Sequence, residues 1–379
     1  MKKVLCLVAV IFLFISGATN AMNIFSSEFQ KKWDELSKDI SKLNEYTRTH
    51  PNIEMKDTKV EDIDIDGAMF NGATFENVVF TNVSSSKSRY LKVKFINCKF
   101  ENYKAWNSEF VNVEFENCEF ISTNFLGSKV VNVKIKNCTA IEAEFDDLTG
   151  DEIFVEKSVF KERSSFTDSK IPFVFRETTL DGVNMMGLDG ANSLLIEGGL
   201  LDEVNFGKSH FSTVTLRRVK QGEGPVRFNG ATADRIKIED VDLWRGLSLA
   251  EMKAGFVSIE GGKLKTAFSD SVISKVYARD VDFYMFSLSE AHLPYVSLMD
   301  CQIRDFPMWD GFVEELFVQN STIEEVDGEN FKADTVVWDN VTLDGKIDLT
   351  NAHVEDFQVT RLKRGPKLQL ITTGSNLKF

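Results

Sequence analysis

Histidine is scarce. The chain has four, His50, His210, His292 and His353, and their scatter suggests neither a triad nor a metal site. A glycine-rich phosphate loop and a nucleophile elbow are both missing. Positive charge is short as well: 44 Lys and Arg against 58 Asp and Glu leave a net charge of −14. That balance argues against nucleic acid or an anionic lipid surface as partner. The longest apolar run, Val4 to Ile15, has 12 residues, too few to span a membrane comfortably. These absences lead to the expectation of no catalytic, cofactor-binding or metal-ligating residues, no cofactor, and no enzymatic activity.

The ends differ from the middle. Lys2 and Lys3 precede the apolar run, and Ser16-Gly17 and Thr19-Asn20-Ala21 follow it, so residues 1–21 read as a signal peptide cleaved after Ala21. The alternative is an uncleaved N-terminal anchor. No Cys follows the cleavage site to carry a lipid. The expected location of the mature chain is therefore outside the cytoplasm: periplasmic, cell-surface or secreted. In residues 22–50, Phe25, Phe29, Trp33, Leu36, Ile40 and Leu43 fall at spacings of 4, 4, 3, 4 and 3, one face of an amphipathic helix over 25–48. Ser27 with Gln30 forms a capping-box pattern, and Pro51 lies beyond the end.

What fills the middle is a five-residue beat. From Phe70 to Phe145, fifteen of 16 fifth positions are apolar, where a 43% apolar chain gives about seven by chance. The beat returns from Ile273 to Leu343 with Gly328 as its exception. A smaller residue sits two places earlier, as in Val93, Cys98, Val113 and Cys118. Five fits neither a helix nor an extended strand, but a pair at i and i+2 followed by a turn fits a short strand and a corner. Phe75-Glu-Asn-Val, Phe95-Ile-Asn-Cys, Phe115-Glu-Asn-Cys and Ile135-Lys-Asn-Cys start twenty residues apart, which is four such sides. The chain is thus expected to wind into a four-sided coil with equivalent residues stacked, about 15 turns over residues 66 to 359 at ~4.8 Å per turn. A wider three-sided parallel β-helix is the rival, though its turns are usually longer and less uniform.

Ala68-Met-Phe70-Asn-Gly, Ala73-Thr-Phe75-Glu-Asn, Cys98-Lys-Phe100 and Val281-Asp-Phe283 resemble the unit of the pentapeptide-repeat family, approximately Ala-(Asp/Asn)-(Leu/Phe)-x-x. The resemblance covers about three quarters of the chain. It departs in usually missing the Asp/Asn, in using Phe for Leu, and in phase slips near Leu200–Phe206, Arg217–Phe228, Leu264–Phe268 and Leu343–Leu349. It implies an all-β, right-handed quadrilateral parallel β-helix solenoid with an N-terminal capping helix. The expected division is 1–21 leader, 22–50 helix, 51–360 β-helix and 361–379 C-terminal cap or tail. Residues 146–175 are the least regular and read as corner loops or bulges on one rod, either loops that carry a contact surface or a tolerated insertion.

Other candidates are weak. Asp62-Ile-Asp64-Ile-Asp66-Gly67 resembles the start of a calcium loop, but position twelve is Ala73 where a bidentate Glu belongs. Asp146-Asp147 and Asp151-Glu152 form an acidic cluster with no base at a defensible spacing. Cys98, Cys118 and Cys138 stack at the small inward position and read as buried thiols, with a disulfide between two of them as the alternative. Three functions are compatible with the chain. The first is a non-catalytic exported rod that binds protein partners, has no membrane span and pairs with a second copy through one end. The second, implied by the family resemblance, is a DNA mimic that binds DNA gyrase. The third is a β-helical enzyme acting on polysaccharides.

Overall fold

The computed structural model describes residues 27–189 and 193–377. The leader, 1–21, and Phe25 lie outside the described residues. From Glu54 onward the chain is a parallel β solenoid, and the register of one side counts its turns. Met55 pairs with Phe75, Phe75 with Phe95, and so on through Phe115, Ile135, Val155, Phe175, Ile196, Leu216, Ile238, Ile259, Ala278, Leu298, Val318, Trp338 and Val359. That is sixteen rungs, one more than expected, because the coil begins at Ile53 and Met55 and not near residue 66. At ~4.8 Å per rung the rod is about 70 Å long.

Each side buries its i−2 and i residues and turns at the next two. The second corner residue has positive φ: Asn97 +54°, Asn102 +50°, Asn107 +50°, Asn112 +53° and Asn117 +54°. Asn tolerates this left-handed backbone better than other non-glycine residues. Stacked corners also bond: Asn77 Nδ2 donates to Asp57 Oδ1 at 2.7 Å, Asn97 to Asn77 and Asn117 to Asn97, both at 3.1 Å. The twenty-residue recurrence of Asn is therefore a corner ladder, exposed as the sequence implied.

In the C-terminal half the corners alternate. Positive φ recurs at Asp280, Glu290, Asp300, Asp310, Asn320, Asn330 and Asn340, every ten residues. The corners between take extended backbone, so two sides join into one strand: Val272–Arg279 and His292–Met299 have 8 residues, where Lys94–Ile96 and Lys99–Glu101 have 3.

Inside, equivalent rings stack rung upon rung. Phe75 on Phe95, Phe95 on Phe115 and Phe80 on Phe100 have centroids 5.0 Å apart and nearly parallel planes. The polar central residue Ser85 and the small Ala105 stacked one rung on leave space that an oversized residue at an i−2 position, Tyr103, fills. The Tyr103 hydroxyl bonds the Tyr90 hydroxyl at 2.6 Å, and Tyr90 bonds Ser85. All three residues are buried. Burial, with Tyr103 adding to it, holds the Tyr90 phenol well above its usual range, and burial raises Tyr103 too. For an acid with a raised folded pKa, this site's stability is complete below about pH 10 and declines as pH rises past it. Tyr103→Phe removes one buried bond while keeping the volume, so a loss of about 1 kcal/mol in denaturant melts is expected. Loss of several kcal/mol would mean that packing around Tyr103 differs from this arrangement.

Two helices, not one, cover the first rung: α1 (Glu28–Leu36) and α2 (Ile40–Thr49). The predicted continuous helix breaks because Asp39 serves as an N-cap, its Oδ1 accepting from Ser41 N at 3.0 Å and Lys42 N at 3.3 Å. The break lets Phe29, Trp33, Leu36 and Leu43 all face the coil. Ser27 caps α1 through Gln30 N at 3.2 Å. The Gln30 side chain does not return to Ser27; it bonds Lys56 O at 2.9 Å and Lys56 N at 3.3 Å. Asn44 does the same with Gly67 O at 3.0 Å and Met69 N at 2.7 Å. Side-chain amides thus pair with the edge of the first coil as a neighbouring strand would. At the other end, Asn376 bonds Val354 N at 3.0 Å and Val354 O at 2.7 Å.

Two expectations need correction. Residues 146–175 form no loop leaving the rod. Phe145 and Phe166 stack at 5.1 Å, and the single extra residue between Phe160 and Phe166 is absorbed by consecutive positive-φ residues, Glu162 and Arg163. Residues 361–371 do not merely trail, because Lys363–Arg364 and Gln369–Ile371 pair with the preceding rung.

Candidate interaction surface

The weak candidates from the sequence are absorbed by the coil. Asp62 is a corner that accepts from Asn82 Nδ2 at 2.9 Å; Asp64 Oδ1 accepts from Asp66 N at 2.9 Å; Asp66 Oδ1 accepts from Ser86 N at 2.7 Å. Asp146 accepts from Thr167 N at 2.7 Å and Ser165 Oγ at 3.0 Å. Cys98, Cys118, Cys138 and Cys301 are free and buried. Burial pushes the Cys301 thiol up to about 11, and the neighbouring Cys138 and Cys98, with burial, push Cys118 up, so these two sulfurs have little thiolate character, while the hydrogen bond with Cys118 lowers Cys98 and Cys138. His50 stacks on Tyr46 at 4.2 Å and His292 meets Phe312 edge-on at 4.8 Å. Among the described residues no group of three or more His, Cys, Asp or Glu is arranged to hold a metal.

The outward positions carry the remaining candidates. Much of the side that carries Met55 and Val359 bears alternating charge, rung by rung: Arg176 to Glu197 at 3.4 Å, Arg217 to Glu197 at 3.8 Å and Arg217 to Glu239 at 2.6 Å. Such partly exposed pairs contribute little individually.

In rungs eleven to fourteen the same side becomes aromatic. Phe256, Tyr277, Tyr295 and Phe317 point outward and are half-buried. Their centroids are 5.4, 5.1 and 5.4 Å apart in that order, at interplanar angles of 38°, 38° and 34°. The rings alternate between the middle of the side (Tyr277, Phe317) and the adjoining corner (Phe256, Tyr295). That corner is one of those with extended backbone, so a bulky ring fits where the N-terminal half has positive φ at Asn52, Gly72, Lys92, Asn112 and Asn132. Glu260, Asp280, Asp300, Glu314, Glu315 and Asp334 are exposed along the stripe, against Lys275 and Arg279 as exposed cations, and Arg279 already pairs with Glu260. At the upper end the Arg235 guanidinium lies over the Phe256 ring, 5.7 Å from its centroid.

Three other outward aromatics are covered by cations of the chain, while Trp309 stands 37% exposed. Arg245 lies 4.1 Å from the Trp244 centroid, Arg304 lies 4.2 Å from that of Tyr284, and Lys104 lies 5.5 Å from a ring centre of Trp106. Sequence reading missed the stripe because its four residues sit off the inward beat. Once the beat is fixed, an aromatic residue at an outward position in successive turns is a readable signal.

Residues 68–145 match the family model described as "Pentapeptide repeat region". No curated protein sequence matches the chain significantly. Similar solved structures include QnrB1, a plasmid-mediated fluoroquinolone resistance protein, at 16% identity over 45% of this chain and 83% of that one, with a TM-score of 0.27. HetL, a pentapeptide repeat protein involved in heterocyst differentiation regulation from the cyanobacterium Nostoc sp. strain PCC 7120, has 11% identity over 60% and 85%, TM-score 0.22. The A-module of mannuronan C-5 epimerase AlgE6 from Azotobacter vinelandii has 10% identity over 87% and 96%, TM-score 0.25. At these scores the likenesses carry no argument about activity. Residues 68–145 are thus a pentapeptide repeat region, and five-residue sides of the same kind continue beyond it.

Proposed function

We propose that this chain is a non-catalytic, exported interaction rod that holds a protein partner on the aromatic stripe of rungs eleven to fourteen. The observation that carries this reading is the stripe itself: four outward rings in mutual contact on successive turns, in a solenoid that needs them for neither its inward core nor its corners. Export rests on the leader-like residues 1–21, whose removal would leave a mature chain beginning at Met22. No helix among the described residues is long and apolar enough to cross a membrane. Pairing of two copies belongs to the same reading, and we propose the last coil for it on the support of half-buried Phe357 and Val359 and of Leu370, 39% exposed.

The test joins location to contact. Tagged chain is recovered from the cell envelope and medium, its N-terminus sequenced, and its crosslinked partners compared with those of two variants. Phe256→Thr with Phe317→Thr should lose the partner, while Leu126→Thr, on another side, should keep it. Equal recovery by both variants moves the contact elsewhere. A chain found only in the cytoplasm removes export, and polysaccharide cleavage by the purified protein removes the non-catalytic assignment.

A further inference from the structure

We infer that the aromatic stripe recognises a cationic peptide segment of its partner, one that carries Lys or Arg beside apolar residues. This inference rests on the reading of the stripe as the contact surface and adds the chemistry of what it contacts. Two features of the surface must be met together. The ring faces of Tyr277 and Tyr295 offer apolar area and a negative quadrupole, to which ammonium and guanidinium groups are attracted. The flanks add formal negative charge: within the four rungs, five exposed carboxylates, Glu260, Asp280, Asp300, Glu314 and Glu315, stand against Lys275 and a paired Arg279, an excess of 5 − 2 = 3 in a chain whose net charge is −14. An anionic ligand, whether acidic glycan, nucleic acid or phosphate-bearing lipid, would meet like charge on both flanks. A purely apolar partner would leave those carboxylates beside it without compensation.

The chain supplies its own example of the contact. Arg235 sits over Phe256, the first ring of the stripe, beside the exposed carboxylate-bearing corner residue Asp234. A partner's cations would repeat this arrangement on the later rings. The stripe covers four rungs, so about 14 Å along the axis, room for roughly four or five residues of an extended segment. Binding is through side chains, because the strands beneath are already paired on both edges.

The probe is a fluorescein-labelled peptide of alternating Lys and Leu, titrated into the full-length mature chain and followed by anisotropy. Its counterparts are a Glu-Leu peptide, an all-Lys peptide with the same number of Lys, and anionic phosphatidylglycerol vesicles. The Lys-Leu peptide should bind, and the Glu-Leu peptide and vesicles should not. Tyr277→Thr with Tyr295→Thr should weaken binding at least tenfold. Glu314→Gln with Glu315→Gln, which alters only exposed corners, should weaken it several-fold and flatten its salt dependence. Thermal melts check that both variants fold, and the charge variant decides alone if the ring variant does not. Equal affinity for the all-Lys peptide, or no change in the folded variants, would reduce the effect to diffuse electrostatics and overturn the inference. If the stripe variants lose the cellular partner but the Lys-Leu peptide never binds, the contact surface stands and its cationic specificity falls.

Discussion

Phe115→Ala should cost about 3–5 kcal/mol of stability, while its neighbour Glu116→Ala should change stability by no more than about 0.5 kcal/mol. Phe115 is 4% exposed and stacks on Phe95 at 5.0 Å, with edge contacts to Phe120 at 5.3 Å and Phe100 at 5.9 Å. The cost of a deleted core ring depends on how far its surroundings can collapse. Here they collapse little. The rungs above and below are held at strand spacing by the backbone pairing of Glu114–Glu116 with Lys94–Ile96 and with Val133–Lys136, so the vacated volume stays open. Chemical denaturation of the two variants checks this. Equal losses would contradict the inward assignment of the beat.

Deleting residues 22–50 should convert a monodisperse rod into one that associates through its first coil. The described part of that segment supplies Phe29, Trp33, Leu36 and Leu43 as a lid over the coil end, where Ile53, Met55 and Ile65 are now buried. It also supplies the Gln30 and Asn44 amides that occupy backbone groups of Lys56, Gly67 and Met69. Without them the end presents both an apolar cross-section and an unpaired edge, the two features that drive strand-to-strand association. Light scattering on the truncated protein gives the answer. A truncated form that keeps the oligomeric state of the full-length chain and melts with it would make α1 and α2 a partner-binding element and not a lid.

The inward half of this architecture was legible because the physics there is uniform. Every central position meets the same stacked environment, so Phe95, Phe100, Phe115 and Phe120 announce themselves by spacing alone, and Asn97 and Asn117 mark corners for a steric reason. Legibility failed where one residue's role depends on another far away in sequence. Ser85 looked like a gap in the beat, yet its space is taken by the hydroxyl ends of Tyr90 and Tyr103. Asp39 looked like a polar position on a long helix, and its capping of Ser41 and Lys42 competes successfully with helix continuation. Residues 146–175 looked irregular because one residue added between Phe160 and Phe166 shifts the phase there, though the backbone absorbs it at Glu162 and Arg163 and the twenty-residue step holds from Val155 to Phe175 and from Phe160 to Leu180. The stripe from Phe256 to Phe317 was invisible for the opposite reason: outward positions obey no shared rule, so nothing in the beat predicts them.

The stacking of equivalent sides gives the rod a discrete grammar of length and bearing. Gaining or losing twenty residues adds or removes one whole rung, about 4.8 Å, and leaves every downstream side facing as before. Gaining or losing five turns everything downstream by a quarter revolution, so the aromatic stripe would leave the side shared with Met55 and face another direction. One residue does neither: the register steps from Phe175 to Ile196 and from Ile238 to Ile259 are each 21 residues, and pairing continues through both. Reach and orientation can therefore change independently, by insertions of different size, without altering a residue that makes contact.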